Sequence, residues 1–396
     1  MKTKILAVTL FALTAAIVAA YPQQPPLAPP RAAPPPVVTQ KPVVDVVFVL
    51  DTTGSMGGLI QAAKEKIWSI AGSMAQAQPA PQIRLGLVAF RDRGDDYVTK
   101  VIDLSSDLDT VYATLMDFRA DGGGDGPESV NQALADAVHK VSWSQAADAY
   151  KVIFLVGDAP PHMDYQDDVK YGVTIAAAKA RGIVVNTIQC GNQADTRTEW
   201  QHMAQLGQGS YFAVAQSGSA VALASPYDRE LAELSAKLDG TRLYYGSAAD
   251  KAKAEEKEAA GSKLRAAASV EAQARRAAFN RSKSGAANLL GDKELVEDVA
   301  SGRVDLGTIE PKALPAPLQT LAPGERKAEV DKLAKQREDL KRQIDDLAGK
   351  RDDYLKREVD RAGGAKDSLD AKVFGAVREQ AAKKGLRYEE AAVPAY

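Results

Sequence analysis

The run Val43–Leu50, VVDVVFVL, is apolar on nearly every position of both faces that an extended chain presents. Such a strand rests stably only inside a sheet covered by helices on each side. Comparable runs recur at Ile83–Phe90, Val152–Val156, Ile183–Ile188 and Tyr211–Val214, and a weaker one, Val98–Leu104, reads as a sheet edge. Helical patterns fall between them, at Leu59–Ala75, Leu108–Phe118, Val130–Val141, Val169–Ala180 and Thr198–Gln205. This alternation implies an α/β fold with a doubly wound, mostly parallel, Rossmann-like sheet. In such sheets ligands bind beyond the carboxyl ends of the strands.

That core occupies residues 43–224, less than half of the 396-residue chain. Residues 1–20 carry Lys2 and Lys4, an apolar run and small residues ending at Ala20, the pattern of a cleavable secretory signal peptide. Residues 21–42 are Pro-rich and read as an extended spacer. Residues 225–310 read as a helical region, 311–324 as a Pro-rich linker and 325–396 as a coiled-coil or helical tail. In the tail Val330, Leu333, Leu340, Ile344, Leu347 and Tyr354 follow a 3-4 spacing, with Arg337 and Arg351 at two core positions. The tail is therefore expected to be separable, to bury little against the sheet domain, and to position that domain or assemble with itself or a partner.

Charge divides the chain the same way. Val43–Pro226 holds 13 Lys and Arg against 21 Asp and Glu, a compact acidic domain, whereas Tyr227–Tyr396 holds 33 against 31. The basic residues of the tail alternate with acids, as on a solvated helix face, which argues against a nucleic-acid partner. The single cysteine, Cys190, excludes an intrachain disulfide. After cleavage at Ala20 no further apolar run is long enough to span a bilayer, so the expected location is outside the cytoplasm, periplasmic or secreted.

The first strand ends in Asp51, Thr53 and Ser55, a D-x-T-x-S turn. Alternate side chains of an extended turn point the same way, so three hard oxygen donors converge above the sheet. With no His or Cys among them, the set suits Mg²⁺, Mn²⁺ or Ca²⁺ rather than zinc. A helix N-cap needs only one such residue. Asp158 follows the strand Val152–Val156, and the Gly-rich segment ADGGGDGPESVNQAL offers Asp121, Asp125 and Glu128 before a helix. Asp125, Pro127 and Glu128 also fit a capping box, in which the two acids only satisfy free backbone N–H groups.

Taken in order, the D-x-T-G-S-M turn, the Gly-rich loop and the Asp-ended strand resemble those of a bacterial von Willebrand factor type A domain protein. The resemblance covers about Val43–Ala215 and implies a metal ion-dependent adhesion site. Asp51, Thr53 and Ser55 would be its first-loop ligands and Asp158 its last-loop ligand. The family's second loop commonly supplies a threonine. Here Glu128 stands at that place, with Asp125 as the alternative. The resemblance further implies a non-catalytic module that binds a protein partner through an acidic side chain presented to the metal.

Other signals are weaker. His139 and His202 fall within helical patterns, and His162 lies near the implied site as the only candidate base for a metal-dependent hydrolase. No nucleotide-binding GxxxxGK[ST] is present, and Thr53 stands where a phosphoaspartyl transferase would carry a second Asp. A structural protein working through its coiled coil is the main alternative function.

Overall fold

The computed structural model describes residues 41–396 other than 125, 217–222, 362–368, 390–393 and 395–396. The expected signal peptide, nearly all of the Pro-rich spacer and Asp125 lie outside the described residues.

Six strands form one sheet: β1 (Val43–Asp51), β2 (Gln82–Phe90), β3 (Thr99–Ser105), β4 (Tyr150–Gly157), β5 (Ile183–Cys190) and β6 (Gln208–Val214). Their order is β3-β2-β1-β4-β5-β6; only β3, at the edge, runs antiparallel. The helices α1 (Gly57–Ala75), α2 (Leu108–Leu115), α3 (Val130–His139), α4 (Tyr171–Ala180) and α5 (Ala194–Leu206) flank it. Strand β1 shows why its sequence is apolar throughout. Val44, Val46, Phe48 and Leu50 pack on the face that holds α1 and α2, while Val47 and Val49 pack on the face that holds α3, α4 and α5. Asp45 is the exception, and the Arg84 guanidinium holds it bidentately at 2.8 and 2.6 Å. The winding reverses between β1 and β4, which opens a crevice at their carboxyl ends.

The remaining helices are α6 (Asp228–Asp239), α7 (Ala248–Ala267), α8 (Val270–Arg281), α9 (Ala286–Leu290), α10 (Leu295–Ala300), α11 (Ala316–Gln319), α12 (Pro323–Arg361) and α13 (Leu369–Ala382). They do not form a separable tail: Lys41–Tyr396 is one compact unit. Leu264, Ala272, Phe279, Val373 and Val377 join the same apolar cluster as Trp68, Tyr112 and Phe48 of the sheet domain. Phe279 lies 5.8 Å, ring to ring, from Trp68. Charge seals the contact, since the Arg276 guanidinium pairs with Asp109 through Nε and Nη2 at 2.6 Å each, and both residues are fully buried. The charge density that reads as solvated helix conceals a set of buried ion pairs.

The seam of α12 likewise faces its own chain. Val330, Arg337, Leu340, Ile344, Ala348, Arg351, Leu355 and Val359 are buried. Leu340 and Ile344 pack with Leu231, Leu234 and Leu238 of α6, and Val330 with Leu295, Leu314 and Leu318. The expected positions Leu333, Leu347 and Tyr354 are only half-buried, and Ala348 and Leu355 replace the last two. A straight helix drifts by about 20° per heptad against a strict seven-residue repeat, so the buried stripe slides by one position. Both seam arginines are paired, Arg337 with Glu294 and Thr241 and Arg351 with Asp228. The 311–324 segment is packed, with Leu314 and Leu318 fully buried.

Candidate functional site

At the end of β1 the backbone leaves the sheet as a short 3-10 turn, Gly54–Met56, that feeds α1. Asp51 is 1% exposed. Its Oδ1 accepts the Thr53 backbone N–H at 2.9 Å and the Thr53 hydroxyl at 2.6 Å. The Thr53 and Ser55 hydroxyls are 3.4 Å apart. The three expected first-loop residues are therefore together, although Ser55 is exposed.

The second loop docks directly on this turn. Asp121 N–H donates to the Thr52 carbonyl and Gly54 N–H to the Gly122 carbonyl, both at 3.1 Å. Gly123 has φ +82, and a Cβ there would stand 3.4 Å from both Glu128 Oε1 and Thr53 Cβ, so Glu128 and Thr53 line one space. Glu128 is 4% exposed. It precedes α3, whose N-cap is Ser129, and is not the third residue of a helix capped by Asp125. The capping-box alternative is thereby removed for Glu128. Its backbone pairs instead with the loop after β4, through Glu128 N–H to the Pro160 carbonyl (2.9 Å) and His162 N–H to the Glu128 carbonyl (3.0 Å).

Asp158 completes the crevice from the end of β4. Its Oδ2 accepts from Gln216 Nε2 at 2.6 Å, and the same nitrogen reaches the Ser55 carbonyl at 3.3 Å. Behind it, a Cβ on Gly157 would stand 3.0 Å from Asp51 Oδ2 and 3.1 Å from the Trp200 ring. Any larger residue would press on the Asp51 carboxylate.

The electrostatics set this edge apart. Asp51 Oδ2 and Glu128 Oε2 are buried and have no hydrogen-bond partner among the described residues. Burial pushes Asp51 up to about 7, against the pull of the two Thr53 hydrogen bonds and of the Asp158 backbone N–H, and with a further push from the Asp158 carboxylate. Burial, then Asp51, Asp92, Asp95 and Asp158, push Glu128 up to about 9. Two buried carboxylate oxygens without donors are costly unless a proton or a cation satisfies them. A hard divalent cation fits this donor set of carboxylates and hydroxyls. Among the described residues no three His, Cys, Asp or Glu side chains gather as a metal cluster by themselves. The donor set thus depends on the hydroxyls of Thr53 and Ser55.

Sequence reasoning missed a supporting ring after β2. Asp95 accepts the Gly123 N–H, Asp92 accepts the Ser129 hydroxyl at 2.8 Å and the Tyr165 hydroxyl at 2.8 Å, and Arg91 donates to the Thr52 carbonyl. The segment RDRGDD directly follows an apolar strand at the same sheet edge, which was the available signal. His162 is occupied: its Nδ1 lies 2.7 Å from Asp164, its Nε2 3.3 Å from Asp92, and its ring stacks on Tyr165. Cys190 is fully buried, and burial pushes its thiol well up. His139 is exposed, and His202 bonds to the Tyr171 hydroxyl.

Comparison with known proteins bears on the α/β part alone. Residues 45–225 match the family model described as von Willebrand factor A domain. A 93-residue stretch is 40% identical to von Willebrand factor A domain-containing protein 7 of Rattus norvegicus, covering 24% of this chain and 10% of that protein. A 120-residue stretch is 28% identical to an ariadne-like RING finger protein of Acanthamoeba polyphaga mimivirus, covering 30% and 11%. The chain thus spans about a tenth of the length of these curated relatives. Among solved structures, proximal thread matrix protein 1 of the mussel byssus, described with a zinc-occupied MIDAS motif, is 16% identical with a TM-score of 0.34, covering 44% of this chain and 42% of that one. The family match, over a six-stranded sheet with flanking helices, supports a von Willebrand factor A domain at residues 45–225.

Proposed function

We propose that this chain is an exported, non-catalytic binding protein that takes a protein partner through a divalent cation, Mg²⁺ or else Mn²⁺ or Ca²⁺, held at the carboxyl edge of β1. One observation carries the proposal: Asp51 Oδ2 and Glu128 Oε2 are buried at one crevice, and neither has a hydrogen-bond partner among the described residues. Domains of this family are typically protein-interaction modules, which agrees with a binding role.

In this reading Asp51 and Glu128 hold the cation with the hydroxyls of Thr53 and Ser55, and Asp158 contributes directly or through water. The bound cation supplies an electrophilic position for a carboxylate of the partner. The chain's own residues do the positioning. Thr53 fixes Oδ1 of Asp51 and leaves Oδ2 for the ion. Gln216 ties Asp158 to the first loop. The backbone bridge at Glu128 holds the second and third loops in register. Non-catalysis is supported by His162, the one candidate base, whose ring nitrogens already face Asp164 and Asp92. Export rests on the pattern of residues 1–20. No helix among the described residues is long and apolar enough to cross a membrane. A primarily coiled-coil role is less well supported, because the α12 seam is filled by α6, α10 and α11 of the same chain.

The test is retention of an acidic peptide by the immobilised full-length chain. Binding should require Mg²⁺, vanish in chelator and be absent in Asp51→Ala. Binding indifferent to both chelator and Asp51→Ala would overturn the proposal. Replacing Glu128 by Thr should weaken Mg²⁺ binding, because two charges ~4 Å apart interact by about 4 kcal/mol at an effective dielectric of 20. It should also tighten the peptide at saturating Mg²⁺, since one carboxylate fewer offsets the cation's pull.

A further inference from the structure

Far from the metal edge, α1, α8 and α12 enclose a cleft of about 320 Å³. It lies where the von Willebrand factor A domain meets the helical region, and its wall holds Trp68, Phe279 and Gly349, the cations Arg275 and Arg351, and the carboxylates of Asp345 and Asp352. Around it the buried cations have partners. Lys66 pairs with Asp370 at 2.9 Å and Arg351 with Asp228 at 2.7 Å, and the exposed Arg281 pairs with Asp345. Arg275 differs. It is 4% exposed, and its one hydrogen bond runs from Nη1 to the Glu65 carbonyl at 3.4 Å. Its Nε and Nη2 have no partner among the described residues, and neither does Trp68 Nε1.

The identity of the two unpaired nitrogens is informative. Nε and Nη2 form the edge of a guanidinium that grips two oxygens of one acid group side by side. Among the described residues the same edge grips an acid from the half-buried Arg84 to Asp45 and from the buried Arg276 to Asp109. At Arg275 the same edge has no acid. The nearby carboxylates of Asp370 and Asp228 are already engaged by Lys66 and Arg351. The Asp370, Asp228 and Glu65 carboxylates act on Arg275 only at longer range, and buried guanidinium N–H groups left without acceptors are costly. The Arg275 edge lies beside a cleft large enough for a small organic molecule, with the Trp68 and Phe279 rings in its wall.

We propose that this cleft is a binding site for a small organic anion, a carboxylate or phosphate monoester on an apolar body, whose acid oxygens pair with the Nε and Nη2 edge of Arg275 and with Trp68 Nε1. All three nitrogens are out of solvent contact in the ligand-free chain, so binding draws the Arg275 and Trp68 side chains toward the ligand. The site joins α1 to α8 and α12, and occupancy therefore stabilises the contact between the two regions.

The experiment uses the full chain in chelator, which keeps it independent of the metal edge. Benzoate and phenyl phosphate are titrated by thermal shift and calorimetry, with inorganic phosphate as the bare-anion arm and chloride at equal ionic strength as the control. Saturable stabilisation by at least one of the two organic anions, absent with chloride, is expected. Preference between benzoate and phenyl phosphate identifies the acid group. Arg275→Gln should weaken binding about tenfold or more, since it removes the charged N–H edge that pairs with the acid oxygens. Gly349→Phe should abolish it without touching Arg275, because a Cβ at Gly349 meets nothing within 4 Å and the position lines the cleft. The ligand-free Arg275→Gln chain should be as stable as wild type or more so. The proposal is overturned if no organic anion saturates, if chloride or phosphate alone matches them, or if both variants bind like wild type. A marked loss of stability in ligand-free Arg275→Gln would also overturn it, by showing that the guanidinium is already satisfied within the chain.

Discussion

Two groups of buried acids in this molecule are built in opposite ways. At the contact between the α/β domain and the helical region, Asp109 is fully buried, and Arg276 meets it with two hydrogen bonds while Lys257 and Arg242 add to the field. Against the upward push of burial, these cations hold Asp109 down at about 2. At the end of β1, Asp51 and Glu128 are comparably buried, yet their neighbours are other acids, and they rise to about 7 and about 9. Burial is the same problem in both places. The chain supplies its own counter-charge at the first and leaves the second to a proton or an ion. A paired acid cluster holds structure together, and an unpaired one at a strand's carboxyl edge is a place for a ligand.

The largest effect that would sharpen this contrast is removal of the helical region. A chain ending at Ala224 loses Leu264, Phe279, Val373 and Val377 from the cluster around Trp68 and Tyr112. Each buried Leu, Phe or Val contributes about 1.5–3 kcal/mol, so the fragment should unfold at much lower denaturant or aggregate. A fragment with full-length stability in a urea melt would show that the contact contributes little. Next comes Arg276→Leu, which leaves Asp109 without its main cation, while Asp239 keeps Arg265 and Arg242. Breaking a buried pair costs about 3–5 kcal/mol, readable in the same melt. By contrast, Asp51→Asn in chelator should be neutral or stabilising, because it removes an unpaired carboxyl. An equal loss in both variants would erase the distinction between the clusters.

A smaller effect lies in pH, and the two clusters give opposite signs. Asp109 is depressed, so its contribution, about 2 kcal/mol, is full above its unfolded value near 3.8 and is lost as pH falls toward about 2. Asp51 and Glu128 are raised, so the native state holds their protons more tightly than the unfolded state does. In chelator, stability should therefore fall as pH rises from about 4 through about 7 and on to about 9. Glu128→Gln should remove the upper part of that fall and Asp51→Asn the lower part. A flat stability profile over this range in wild type would contradict the assignment of unpaired acids.

Particular residues explain how much of this was legible in the sequence. The sheet was, because a strand buried on both faces has almost no choice but Val, Ile, Leu and Phe, as Val43–Leu50 shows. Asp51, Thr53 and Ser55 were legible because their spacing is local. Glu128 was ambiguous, since Asp125–Glu128 satisfies a capping pattern equally well, and only the start of α3 at Val130 separates the two. The packing of the tail was not legible. A buried Arg276 or Lys66 has the same letter as a solvated one, and its acid lies 167 residues away in one case and 304 in the other. The α12 periodicity marked Val330, Arg337, Leu340, Ile344 and Arg351 as buried, but it misplaced the later positions, and periodicity does not state which chain fills the seam.

The central claim, that the unpaired acids at the end of β1 await a divalent cation, is tested most directly by calorimetric titration of Mg²⁺ into the full chain at pH 8 in two buffers of different ionisation enthalpy. The account predicts one ion per chain and release of about one proton, because Glu128 is still largely protonated at that pH and must ionise to bind. It further predicts that Glu128→Gln abolishes the proton release and that Asp51→Ala abolishes binding. Absence of saturable binding in wild type, or binding with the same affinity in Asp51→Ala, would contradict it.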